Sequence, residues 1–177
     1  GTIYVLVRKE SKQKFETLRN KWGNGAKRIV PITGDLTRPM LGVSAKKRKE
    51  LEGQIDHVFH LAAVYDLMAP VDYQVSVNVE GTRNVVQLAA DIKAKRFHHM
   101  SSIAAAGMFS GIFREDMFEE AHGLENPYFR TKHDSEGLVR ANGRIPFRVY
   151  RPGVVVGHSQ TGFIDKIDGP YYFFKAL

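Results

Sequence analysis

The chain has 177 residues, 43% of them hydrophobic and 25% charged, with no cysteine and a net charge of +7. That length suits one sizeable core and is short for two, and the lack of cysteine excludes a disulfide framework or a thiolate metal site. No apolar run approaches the ~20 residues that span a bilayer, and the opening GTIYVLVRKES is too short in its apolar part for a signal peptide, so a cytoplasmic protein without a membrane span is expected.

In chain order, TIYVLV at 2–7 is an unbroken, β-branched apolar run that predicts a strand buried on both faces, as parallel strands are. Ser11 is placed to cap a helix in which Phe15, Leu18 and Trp22 recur at helical spacing, with Gly23 to end it. RIVPI at 28–32 predicts a second strand. KKRKE at 46–50 holds part of the positive charge and reads as a solvated helix face rather than a nucleic-acid patch. The basic excess instead suits an anionic small molecule. IDHVFHLA at 55–62, FHHMSS at 97–102 and PFRVYR at 146–151 predict three more strands. Between the first two of these, Val85, Leu88, Ala89 and Ile92 form the apolar stripe of a helix over 77–93. A second helix is expected over 128–141, with Pro127 in its first turn. Strands alternating with helices predict an α/β fold with a doubly wound, Rossmann-like parallel sheet.

In such sheets ligands bind beyond the carboxyl ends of the strands. Here those ends carry Arg8, GDLT at 34–37, HLAA at 60–63, the pair Ser101 and Ser102, and RPG at 151–153. A charge, a carboxylate, small residues and hydroxyls on one edge describe a site. NPYFRTKHDSE at 126–136 adds Tyr128 and Lys132, which share one helix face at i and i+4. An ammonium beside a phenol favours the phenolate, drawing a reference pKa of about 10 toward working pH, which suits a general acid. Tyr171 and Lys175 repeat the spacing, so spacing alone does not choose between the pairs. The histidines make no metal site: His98 and His99 are adjacent on a strand and should diverge, and no carboxylate–histidine cluster has ligand spacing.

HLAA, NVEGTRNVVQLA at 78–89, the serine pair followed by IAAAG, then YFRTK and RPGVVVG, in that order and spacing, resemble the extended short-chain dehydrogenases/reductases over about residues 3–165. The resemblance selects Tyr128, whose helix lies between the serine strand and the RPG strand, and leaves Tyr171 and Lys175 a coincidence. It implies that Lys132 also holds the nicotinamide ribose. It implies that Ser102 donates to the substrate oxygen, with Ser101 as the alternative. Asn78 is either close to the reacting atoms or a helix N-cap. Asp35 and Leu36 are implied at the adenine and His60, Leu61, Ala62 and Ala63 in the cofactor wall, with Pro152, Gly153, Val154 and Val155 completing the cofactor set. Where an acidic residue would bind the 2′-hydroxyl of NAD stands Arg8, whose guanidinium matches a 2′-phosphate. NADP(H) is therefore expected over NAD(H), unless Arg8 merely ends a strand in solvent.

No GxGxxG or TGxxGxxG turn stands in the 177 residues. In the strand order 3-2-1-4-5-6 that turn follows the central first strand. Residues 2–7 then read as strand two, and the sheet is expected to lack its first strand and glycine-rich turn. That leaves a gap between strands two and four, and implies a longer polypeptide or a replacement strand from elsewhere. The implied organisation is an incomplete NAD(P)-binding Rossmann domain over 1–157 and the start of a substrate-binding lobe over 158–177. Within RPGVVVGHSQTG at 151–162, the GxSxTG portion resembles thioester reductases and fatty acyl reductases. It implies NADPH-dependent reduction of the carbonyl of a carrier- or CoA-linked acyl thioester. The alternatives are a nucleotide-sugar epimerase or dehydratase, and a non-catalytic binding module that lost the phosphate loop.

Overall fold

The computed structural model describes residues 1–66, 68–164 and 171. Lys175, and residues 165–170 and 172–177 of the expected lobe, lie outside the described residues. Five strands form: β1 (Ile3–Val7), β2 (Ile29–Thr33), β3 (His57–His60), β4 (Arg96–Met100) and β5 (Phe147–Tyr150). They build two parallel sheets, β1 with β2 and β3-β4-β5. Val7 lies opposite Thr33, His60 opposite His99, and His99 opposite Val149, so within each sheet the carboxyl ends line up. Among the described residues no ladder joins β1 to β3. The five strands thus occupy positions two to six of a doubly wound sheet, with the expected opening at position one.

The helices are α1 (Lys12–Lys21), α2 (Ala45–Leu51), α3 (Val71–Gln74), α4 (Gly81–Asp91) and α5 (Pro127–Arg140). The stripe on α4 does what its spacing predicts. Val85, Ala89 and Ile92 pack with Phe97 of β4 and Val139 of α5, and with Leu6 and Ile32 from the other sheet. One core therefore bridges both sheets. Phe97 and Val139 are fully buried, and each such side chain contributes about 1.5–3 kcal/mol. The basic KKRKE run lies on α2, whose N-cap Ser44 accepts a hydrogen bond from the Lys47 N–H at 3.2 Å.

Three expectations need correction. First, β1 is not buried on both faces: Ile3 and Tyr4 are 48% and 38% exposed. The strand pairs with β2 alone among the described residues, and its other edge faces the opening. Second, Ser11 makes no side-chain cap; Lys9–Ser11 is a 3₁₀ turn that enters α1 directly. Third, helical structure begins at Val71 rather than at residue 77 and runs through a π turn, Val75–Glu80, into α4. Asn78 therefore lies inside a helical run and is no N-cap.

Candidate active site

The start of α5 is built by its sequence. The Asn126 side chain accepts from the Tyr128 N–H at 2.9 Å, and Pro127 occupies the first turn, where a missing N–H leaves nothing unsatisfied. Tyr128 is thereby held half-buried at the helix entrance. One turn on, Lys132 is only 4% exposed, and its Nζ donates to the Met100 carbonyl at 2.8 Å. Burial pushes the Lys132 ammonium down to about 8, against the opposing pull of the Glu136 carboxylate.

The two serines after β4 diverge as alternation predicts. Ser101 is buried and its Oγ donates to Glu136 Oε2 at 2.7 Å, so it has no hydroxyl to spare. Ser102 is half-buried, and its Oγ accepts from the Ala104 N–H at 3.1 Å, leaving its O–H free to donate outward. The 3₁₀ turn Ile103–Ala106 that follows is fastened to α5 by His133 Nδ1 on the Ala105 carbonyl at 3.0 Å. It is also fastened to the β5 end by the Ile103 N–H on the Pro152 carbonyl at 3.1 Å. The turn after Ser102, the helix that carries Tyr128 and Lys132, and the segment at Pro152 are thus joined by direct hydrogen bonds.

Asn78 spends its amide on structure. Its Oδ1 accepts from the Val64 N–H at 2.7 Å, while its Nδ2 donates to the Val64 carbonyl at 2.9 Å and to Thr131 Oγ1 at 3.2 Å. It pins the chain after HLAA to α5. His60 is equally committed. Thr82 Oγ1 donates to the Asn78 carbonyl at 2.6 Å, so at 2.8 Å it must accept from His60 Nε2, which fixes that tautomer. Burial, and then the Lys132 charge, lower the His60 imidazole to about 4. It is neutral near pH 7, and its Nε2 proton is committed to Thr82. His98 and His99 part company as expected: His98 bonds His57 and Tyr150 on one face, and His99 is buried on the other.

The features suited to a nicotinamide dinucleotide lie along the same edge. Asp35 Oδ1 accepts from the Thr37 N–H at 2.8 Å and from Thr37 Oγ1 at 2.7 Å. The Thr37 hydroxyl and N–H, with Arg8 and Arg38 farther off, hold its carboxyl below the usual range. The Leu36 carbonyl accepts from Asn84 Nδ2 at 2.8 Å, anchoring this loop to α4. Arg8 is exposed, and its contact with Glu10 is 3.5 Å long, an exposed pair worth about 0–1 kcal/mol. Leu61, Ala62, Gly153, Val154 and Val155 are exposed and Ala63 and Pro152 half-buried. A Cβ on Gly153 would meet only Ile103 Cδ1, at 3.9 Å, so a flat ring can approach there.

One constellation escapes a reading of strand ends. Glu136 is fully buried and accepts from Ser101, from Arg140 Nε at 2.7 Å, and from Arg151 Nε at 3.1 Å and Nη2 at 2.6 Å. Arg151 also donates to the carbonyls of Arg114 and Met117. Burial alone would raise the Glu136 carboxyl, but these donors outweigh it and hold it below the usual range. The available signal was Glu136 itself, four residues after Lys132 and on its face.

Residues 1–177 match the NAD-binding family described as male sterility protein. The chain is 33% identical to a linear gramicidin synthase of Brevibacillus parabrevis over 182 residues, covering 94% of this chain and 4% of that protein. It is 27% identical over 213 residues to fatty acyl-CoA reductase wat of Drosophila melanogaster, covering 96% and 41%. Among solved structures it resembles the terminal R domain from the myxalamid PKS-NRPS pathway, with a TM-score of 0.78 and 32% identity over 91% of this chain and 44% of that one. The chain thus spans less than half the length of each of these relatives.

Proposed function

Because the chain belongs to the male sterility protein family, the thioester reductase and fatty acyl reductase branch of the extended short-chain dehydrogenases/reductases, we propose that it carries the catalytic half of an NADPH-dependent reductase acting on an acyl thioester. The acyl group is held on a carrier or on coenzyme A. The observation that carries this reading is the buried Lys132 ammonium one turn behind Tyr128, on the helix tied to the Ser102 turn. The identities of the relatives support the substrate class: a gramicidin synthase, an R domain of a PKS-NRPS pathway and a fatty acyl-CoA reductase.

Bound NADPH supplies hydride to the carbonyl carbon. The chain's own residues manage the oxygen and the proton. Ser102 donates its free O–H to the carbonyl oxygen, and Tyr128 donates its phenolic proton there as negative charge grows. Lys132 presents its cation to the phenol and steadies the phenolate left behind. Asn78 and His60 keep the floor of the site rigid without exchanging protons. Arg8 takes the 2′-phosphate and Asp35 faces the adenine. The carbon–sulfur bond then breaks: the Tyr128 phenolate takes back the hydroxyl proton as the aldehyde carbonyl forms, and the sulfur leaves with a proton from solvent, so that one thioester, one NADPH and one proton give an aldehyde, a thiol and NADP⁺.

The test is stoichiometric. An acyl thioester of N-acetylcysteamine, given to the whole protein, should consume one NADPH per aldehyde and per thiol formed. A nucleotide-sugar epimerase would turn over its substrate with no net loss of NADPH, and a binding module would turn over neither.

A further inference from the structure

We propose that Glu136 is a positioning residue of this site: its buried carboxylate, one helical turn past Lys132, locks the ends of β4 and β5 against α5 and so fixes the surroundings of the Lys132 ammonium. The proposal rests on the roles of Tyr128 and Lys132 given above. Its geometry is independent of them. Lys132 Nζ holds the Met100 carbonyl and Glu136 Oε2 holds the Ser101 hydroxyl. An ammonium and a carboxylate one helical turn apart therefore grip consecutive residues of a single strand end. Immediately past β5, the same carboxylate receives both Nε and Nη2 of Arg151, just before Pro152. The three chain segments bearing Ser102, Tyr128 and the RPG turn converge on one buried side chain.

The charges around Lys132 give that side chain a second task. Within its own helix the charge of Lys132 is opposed by Glu136, and the same ammonium acts on His60 of β3 and His99 of β4. Both histidines are neutral, since burial lowers them to about 4 and about 3. Glu136 is the negative group in this set. On its far side it is shared by Arg140 of α5 and by Arg151. Lys132 therefore feels a carboxylate whose pull is tempered by two guanidiniums. Removing the carboxylate leaves the ammonium buried with a carbonyl and two nearby cations, which drives it toward the neutral amine. Removing Arg140, whose side chain is partly exposed at 29%, strengthens the pull and does the opposite. A residue that merely braced the fold would not move Lys132 in opposite directions in these two variants.

The experiment follows the ionisation of Lys132 by NMR in protein carrying labelled lysine, its signal assigned with Lys132→Arg. It compares wild type, Glu136→Gln and Arg140→Gln, with NADPH turnover on an acyl thioester measured across the same pH range. The Lys132 midpoint should fall by about one pH unit in Glu136→Gln and rise in Arg140→Gln. The alkaline limb of turnover should move with it, because an uncharged Lys132 no longer supports Tyr128. Should Glu136→Gln not fold, the rise in Arg140→Gln decides. Midpoints that stay put, or that shift the same way in both variants, overturn the proposal. Midpoints that move while the turnover limb does not would uphold the hold of Glu136 on Lys132 and overturn the catalytic reading of Lys132.

Discussion

Arg8 and Asp35 stand at the ends of adjacent strands, and in the proposed function their charges take different parts of one ligand. The carboxylate of Asp35 is fixed by Thr37, so in the proposed role it would accept from an exocyclic amine without reorganising. Arg8 makes a long contact with Glu10 and lies within reach of the Asp35 charge. A hydrogen bond from a guanidinium to a charged group contributes about 1.5–3 kcal/mol. Arg8→Ala should therefore weaken NADPH roughly tenfold to a hundredfold and leave NADH nearly unchanged, as read by fluorescence titration of both. Equal losses for the two cofactors would remove Arg8 from the 2′-phosphate. At this scale the sequence was legible where one position suffices. Alternation alone said that only one of Ser101 and Ser102 faces outward, and Ser101 is the one turned inward, to Glu136. The Glu136 cluster was not legible, because its partners Ser101 and Arg151 lie 35 and 15 residues away in sequence.

Among the elements, α5 could be read almost to its ends, since Asn126 and Pro127 carry its start in local chemistry. The π turn Val75–Glu80 could not be. Its register is set by Asn78 reaching the Val64 backbone and by Thr82 reaching the Asn78 carbonyl and His60. Those are tertiary contacts, invisible to apolar periodicity, and π turns gather where such a contact re-aims a side chain. The turn after Ser102 makes a sharper claim. Gly107 has φ +66°, and a Cβ there would collide with the His122 carbonyl oxygen, the same oxygen that accepts from the Met108 N–H at 2.8 Å. Gly107→Ala should cost about 1–3 kcal/mol from backbone conformation alone, with more from displacing the chain at His122. Urea unfolding should show a lowered midpoint; an unchanged midpoint would mean the turn relaxes freely.

For the whole molecule, two small sheets share one core, and the opening between β1 and β3 leaves each of these strands an edge without a ladder among the described residues. The alternating strands and helices made that arrangement legible. What they could not convey was how thinly β1 is covered. Global stability also depends on two buried imidazoles. His60 and His99 are lowered to about 4 and about 3 from an ordinary 6.5. Between those values and 6.5 the unfolded chain binds more protons than the folded one, so stability is complete above about pH 6.5 and falls as pH drops toward 3. Each histidine adds a slope of up to about 1.4 kcal/mol per pH unit. Among the described residues neither ring nitrogen of His99 has a hydrogen-bond partner, so His99→Leu should keep the fold and flatten the decline of unfolding free energy between about pH 6 and 4. An undiminished slope would place the acid sensitivity elsewhere. No helix among the described residues is long and apolar enough to cross a membrane. NADPH oxidation by the whole protein on an acyl thioester, wild type against Tyr128→Phe, decides whether Tyr128 is the proton donor. Turnover should fall by about a hundredfold or more with NADPH affinity unchanged; a Tyr128→Phe protein that reduces the thioester at the wild-type rate would rule that role out.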